Sequence, residues 1–280
     1  MYRRVAIVTD STSCIPADLA DRFGIEVVQL QVRIGDHIDD EARIPVPQLV
    51  SAMRANLPVA TSPPDPMAFY QTYRELVAYG ARTIISIHLS SALSETCNAA
   101  RAAAAKVGVP VHVVDTHTCG MSIGYAVIAA AKIAEAGLGV ERVLETATRR
   151  SDRSTELIYV DTLEFLRRGG RIGAAAHLVG SALSVKPLLT MSGSQITPLD
   201  RARGSERALN KMLDIAVKKA GNDPVDIAVE HFDSAEPAAK LLSRLRRSVP
   251  NVRQFMLTQV SSAIGAHVGP GALGITVSPV

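Results

Sequence analysis

The chain has 280 residues, 47% of them apolar and 20% charged, which excludes a disordered or fibrous protein and suits two ordinary domains with their own cores. A net charge of +3, with thirty Lys and Arg residues scattered rather than gathered in a stripe, argues against nucleic-acid binding. The three cysteines, Cys14, Cys97 and Cys119, are far apart and lack Cys-x-x-Cys spacing, so neither a metal site nor a disulfide framework is expected.

Through the first half, short β-branched runs alternate with helical patterns. Val5–Thr9, Val27–Leu30, Thr83–Ile87 and Val111–Val114 read as buried strands, with Pro47–Ala55, Pro66–Tyr79 and Thr96–Lys106 as helices between them. Asp65-Pro66 supplies an N-cap followed by proline at the first helical position. Met121–Ala136 and Val140–Arg150 add two helices. This alternation predicts a parallel sheet covered on both faces, a three-layer α/β/α domain.

The second half changes character. Leu157–Val160 reads as a strand leading into a short helix, Thr162–Arg168, stopped by Gly169-Gly170. Leu188–Met191 and Gln195–Pro198 flank Ser192-Gly193-Ser194 as a hairpin. Ser205–Ala220 and Ala235–Ser248 are amphipathic helices, and Val225–Val229, Gln254–Thr258 and Leu273–Val277 are further strands. The pattern predicts a two-layer α/β domain, a mixed sheet covered on one face, with residues 1–152 and 153–280 as the two domains. No run approaches the ~20 apolar residues of a membrane span, and none near Met1 reads as a targeting segment, so a cytoplasmic protein without membrane insertion is expected.

Several residues invite a chemical reading beside a structural one. Ser94 follows the strand Thr83–Ile87 and opens a helix, so it reads both as an N-cap and as an anion contact at the same helix N-terminus. Thr61, before Ser62-Pro63-Pro64, reads as a turn residue. His267 sits in a glycine-rich loop with Gly265, Gly269 and Gly271, where small residues allow close backbone approach and an imidazole suits an anion near neutral pH; a plain surface histidine is the other reading. Arg167, Arg168 and Arg171 read as cations complementing a helix C-terminus. The three glycines of Gly269–Gly274 match a dinucleotide fingerprint only as letters, because no helix follows, and no P-loop motif is present. A hydrolase would cast Ser94 as nucleophile, His267 as base and Asp115 or Asp161 as orienter, but Ser94 lacks the Gly-x-Ser-x-Gly elbow.

The ordered blocks Val8-Thr9-Asp10-Ser11, Thr61-Ser62-Pro63, Ser90 to Thr96, Val114-Asp115-Thr116, Asp161 to Ile172, Lys186-Pro187-Leu188-Leu189, Arg201-Ala202-Arg203-Gly204 and Gly265 to Gly271 together resemble the DegV family of fatty-acid-binding proteins. The resemblance spans essentially the whole chain. It implies a DegV-like two-domain α/β fold with a lipid tunnel between the domains, a bound long-chain fatty acid as ligand and no cofactor. It further implies that Thr61, Ser62, Ser94 and His267 hold the carboxylate and that Arg203 engages a separate fatty-acid kinase. That kinase makes the acyl phosphate, so this chain is expected to be a noncatalytic carrier. The apolar material Ala174-Ala175-Ala176, Leu178-Val179, Ala182-Leu183 and Val185 is the expected tunnel wall. One departure stands out: Glu95 occupies the place of a family glycine, which requires its side chain to point away from the carboxylate or to be neutralised by a cation such as Arg203.

Overall fold

A computed structural model describes residues 4–178 and 184–280. The first half runs β1 (Val5–Asp10), α1 (Ala17–Phe23), β2 (Ile25–Val28), β3 (Gln31–Ile34), β4 (His37–Asp40), α2 (Val46–Arg54), β5 (Val59–Ser62), α3 (Pro66–Ala78), β6 (Thr83–His88), α4 (Thr96–Ala104), β7 (Val111–Asp115), α5 (Met121–Glu135) and α6 (Val140–Arg153). Strands β2-β1-β6-β7 form an all-parallel sheet. Its side chains alternate between two buried faces. Ala6, Val8 and Ile84 pack under α3 and α4 with Phe69 and Tyr73, whereas Ile7, Ile85 and Ile87 pack under α1 and α5 with Phe23 and Met121. Burial on both sides is why these strands read as continuous apolar runs.

A feature absent from the sequence reading is the three-stranded antiparallel sheet β4-β3-β5. β3 and β4 are joined by Gly35-Asp36, with Gly35 in the left-handed region at φ 59°, a two-residue hairpin turn. β5 pairs with β3 in the register Val32 to Thr61, so Thr61 belongs to a strand and not to a turn.

The second half runs β8 (Thr155–Tyr159), α7 (Glu164–Arg168), β9 (Val185–Ser192), β10 (Gln195–Arg203), α8 (Ser205–Ala220), β11 (Val225–His231), α9 (Ala235–Ser248), β12 (Val252–Gln259), α10 (Ser262–Val268) and β13 (Leu273–Pro279). These strands form one mixed sheet, β10-β9-β8-β13-β11-β12, in which only β11 and β12 pair in parallel. One face, with Leu157, Ile227, Val229 and Ile275, is covered by α8 and α9. The opposite face, with Ile158, Val160 and Phe232, packs against Leu30, Val32 and Leu49 of the first half, so helices of the second half cover one face of the mixed sheet and the first half of the chain meets the other. α5 lies against strands of both large sheets. Among the described residues, no helix is long and apolar enough to cross a membrane.

The turn after β1 is fixed by a buried polar chain. Asp10 accepts the Thr12 N–H at 3.0 Å, the Thr12 hydroxyl, and the Leu89 N–H at 3.2 Å. Its second oxygen lies 2.9 Å from His88 Nδ1. An ionised carboxylate only accepts, so Nδ1 donates to it; Nε2 lies 2.6 Å from Ser86 Oγ, which lies 2.7 Å from the Tyr73 hydroxyl. This is an Asp, His, Ser series, but Asp10, His88 and Ser86 are each 0% exposed, so no substrate reaches it. Asp10→Ala removes the acceptor for four buried donors and is expected to cost about 3 kcal/mol or more of stability. Chemical denaturation checks this; a loss below about 1 kcal/mol would show that the network contributes little.

Candidate functional site

A cavity opens at the carboxyl edge of the parallel sheet, where the turns after β1, β6 and β7 contribute Thr12, Leu89 and Gly120, the usual place for ligands in such sheets. Leu30, Leu93, Ile158, Ile196, Phe232 and Val268 supply apolar walls. Thr61, Ser62, Ser94, Arg171 and His267 gather at one end, from elements scattered through both halves of the chain.

His267 does not sit in a loop. It lies in the last turn of α10, whose start is held by the Ser261 side chain accepting the Ile264 N–H at 3.1 Å and by Glu41 Oε2 accepting the Ala263 N–H at 2.7 Å. Thr61 Oγ1 and His267 Nε2 are 2.8 Å apart. The other face of the ring rests on Gly169, where an added Cβ would stand 2.0 Å from Nδ1. Nδ1 is buried without a partner. Burial first, and then the positive charge of Arg171, lower the imidazole pKa to about 4, so the ring is neutral at pH 7.

Arg171 is the residue the sequence reading misplaced. Arg167 and Arg168 do pair with Glu164 on the exposed side of α7, at 2.7 Å each. Arg171 instead turns back into the cavity after Gly170, which takes φ 70°. Its Nε donates to Leu93 O at 3.0 Å and its Nη1 to Gly169 O at 2.7 Å. A guanidinium has five N–H donors, so two pinned bonds fix its plane and leave others for an anion. The available signal was the Gly-Gly-Arg order, since a chain that reverses after a helix cannot keep its next side chain on the helix end.

Ser94 precedes α4 without capping it; its hydroxyl pairs with Thr96 Oγ1 at 2.8 Å. Glu95 is exposed and accepts from Asn98 on its own helix, away from the cavity. The hydrolase arrangement is not assembled among the described residues. Asp115 accepts the Ser91 and His117 N–H groups, and Asp161 accepts the Tyr159 hydroxyl at 2.6 Å and faces Lys186 Nζ at 3.2 Å; neither orients His267. The expected tunnel wall is also corrected. Ala174, Ala176, Leu178 and Val185 do not line the cavity, Ala175 is buried in a core with Leu166 and Leu189, and Val179, Ala182 and Leu183 lie outside the described residues. Arg203 is exposed at the end of β10, away from the cavity. No cluster of three or more metal-ligating side chains occurs among the described residues.

The profile of the family described as "Uncharacterised protein, DegV family" matches residues 4–280. The chain belongs to the DegV family. It is 46% identical to a DegV domain-containing protein of Streptomyces coelicolor, over 99% of both chains. The structure of a DegV family protein from Thermus thermophilus, solved for its fatty acid binding, is 31% identical and superposes with a TM-score of 0.94 over 99% of this chain and 100% of that one. DegV of Bacillus subtilis, a fatty acid binding protein, is 29% identical with a TM-score of 0.90 over 99% of this chain and 100% of that one. The two-domain α/β architecture is that of the DegV structures.

The contact between Gly169 and His267 is directly testable. Gly169 has φ −76°, so alanine fits the backbone and only the ring is disturbed. In Gly169→Ala the imidazole is expected to leave its pocket, break from Thr61 and titrate upward from about 4 toward 6.5. An NMR titration that leaves the His267 resonance where it is in the parent would show that the ring tolerates the methyl group.

Proposed function

We propose that this protein binds a long-chain fatty acid between its two domains, divided near residues 152 and 153, with the carboxylate at Thr61, Ser62, Ser94, Arg171 and His267. The observation that carries the reading is the Thr61–His267 pair beside a fixed guanidinium at one end of an apolar cavity. The fatty acid binding of the Thermus thermophilus and Bacillus subtilis relatives supports the same ligand class.

Affinity and orientation divide between the two parts of such a ligand. Each buried methylene is worth about 0.8 kcal/mol, so roughly fifteen contribute on the order of 12 kcal/mol before ordering costs. A hydrogen bond to a charged group adds only about 1.5–3 kcal/mol. The walls therefore set affinity, and the hydroxyls, guanidinium and imidazole set which end faces the mouth. Arg171 supplies the charge; the neutral imidazole and the hydroxyls supply directional bonds without adding a second desolvated cation.

In this reading the chain is a noncatalytic carrier that presents the carboxyl group to a separate fatty-acid kinase for acyl-phosphate formation, and it works in the cytoplasm. Ser94 hydrogen-bonds Thr96 rather than an imidazole, which leaves it without an activating base and supports binding over hydrolysis. Arg203, exposed at the end of β10, is the residue we assign to the kinase contact.

Purified protein is expected to release close to one equivalent of long-chain fatty acid on solvent extraction, read by mass spectrometry. Thr61→Ala, Ser94→Ala and His267→Ala are each expected to weaken binding about tenfold to a hundredfold. Lipid-free protein that takes up no fluorescent fatty acid would reject the carrier, and ester hydrolysis abolished by Ser94→Ala would replace it with the hydrolase.

Arg203→Ala separates holding from delivery. Lipid content is expected to stay unchanged while kinase-dependent phosphoryl transfer slows, because an exposed arginine steers a partner without touching the buried chain. Equal transfer rates for variant and parent would remove Arg203 from that role.

A further inference from the structure

The end of the cavity remote from His267 is not hydrocarbon. Glu156 of β8 and Glu230 of β11 line it, 4% and 1% exposed, on either side of Thr276 in β13. At about 3.3 Å per residue, Glu156 lies roughly 13 Å down its strand from Val160, where the chain leaves for α7 and Arg171. Thr276 Oγ1 is 2.6 Å from Glu156 Oε2 and 2.8 Å from Glu230 Oε2. Ser122 donates to Glu156 Oε2 at 2.9 Å, and the Met121 N–H donates to Glu230 Oε1 at 3.0 Å. Burial first, and then the charge of Glu230, raise the pKa of Glu156 well above the usual carboxylate range, and burial raises that of Glu230.

The fold accounts for half of this pair. Glu230 caps the N-terminus of α5 and offsets its dipole, so its charge has a structural partner. Glu156 caps nothing. Its Oε2 takes the Ser122 and Thr276 hydroxyls, and its Oε1 stands over Gly274, another cavity residue, where an added Cβ would lie 3.4 Å away. The glycine keeps that oxygen open to the cavity. A buried carboxyl oxygen that faces the cavity calls for a polar group from the occupant.

Resting on the fatty-acid reading above, we propose that this end of the cavity is a polar subsite for a hydroxyl group on the acyl chain, so that the preferred ligand is a hydroxylated rather than an unsubstituted fatty acid. A carboxyl group accepts a hydrogen bond when ionised and also donates one when protonated, so the pair can meet both the donor and the acceptor of a hydroxyl. An ammonium would bond the carboxylate too, but it must cross the apolar walls as an ion, at a far larger desolvation cost. A plain methyl end satisfies neither acid and strips them of any water that served them.

The test is a displacement series on the parent protein, using octadecanoic acid and octadecanoic acids with one hydroxyl at successive positions from mid-chain to the terminal carbon. One position is expected to bind about tenfold or more tightly than the unsubstituted acid. In Glu156→Leu that preference is expected to disappear while the unsubstituted acid binds as well or better. A series in which every hydroxyl weakens binding to the parent overturns the inference and leaves the carrier standing; failure of all the acids to bind overturns both. The parent series decides the matter without the variant, should Glu156→Leu fold poorly.

Discussion

The site depends on one contact that leaves no room for a methyl group, the seating of the His267 ring on Gly169. The same approach buries the imidazole, keeps it neutral and brings Nε2 to Thr61. It also places the Gly169 carbonyl where Arg171 binds it, so the guanidinium and the imidazole are positioned by the two sides of one residue. The seam continues along α10. A Cβ on Gly265 would stand 2.3 Å from the Phe232 ring, so this helix accepts the roughly 1 kcal/mol that a mid-helix glycine costs in order to lie flat against an aromatic wall of the cavity.

That seam explains what was and was not legible in the sequence. Strands buried on both faces, such as Val5–Asp10 and Thr83–His88, announce themselves as apolar runs, and α8 and α9 carry strong helical periodicity between clear stops. α10 shows neither signal. Its seven residues contain Gly265 and end at Gly269, a local loop signature, and the helix is held instead by a tertiary bond from Glu41, far away in sequence. Strands β3 to β5 have four residues each and gain their pairing from one another rather than from a continuous apolar face. Thr61 and His267 are 206 positions apart, so their meeting was accessible only through likeness to a family, never through spacing.

Arg171 was misread for a related reason. A basic residue at a helix end is usually a dipole partner, and Arg167 and Arg168 do lie in the last turn of α7, where they also pair with Glu164. The Gly169-Gly170 pair reverses the chain before Arg171, so the third arginine belongs to a different surface although it is close in sequence. The tunnel wall was misassigned because an apolar stretch in sequence marks burial, not which buried surface it forms; Ala175 fills a core, while the cavity takes its walls one residue at a time from many elements.

The two ends of the cavity differ in charge, and this gives an occupant a direction. At one end, a guanidinium stands beside a neutral ring; at the other, two buried acids lie side by side, their pKa values raised by burial. An amphiphile entering carboxylate first would press a third carboxyl group against that pair in a region of low dielectric, where like charges repel strongly. Entering tail first, it meets no charge until its carboxylate reaches Arg171. The apolar walls by themselves are indifferent to polarity along the chain, because hydrophobic burial has no direction. Electrostatic asymmetry between the ends therefore favours one orientation of an anionic amphiphile, with its carboxylate at Arg171 and its tail toward the acids.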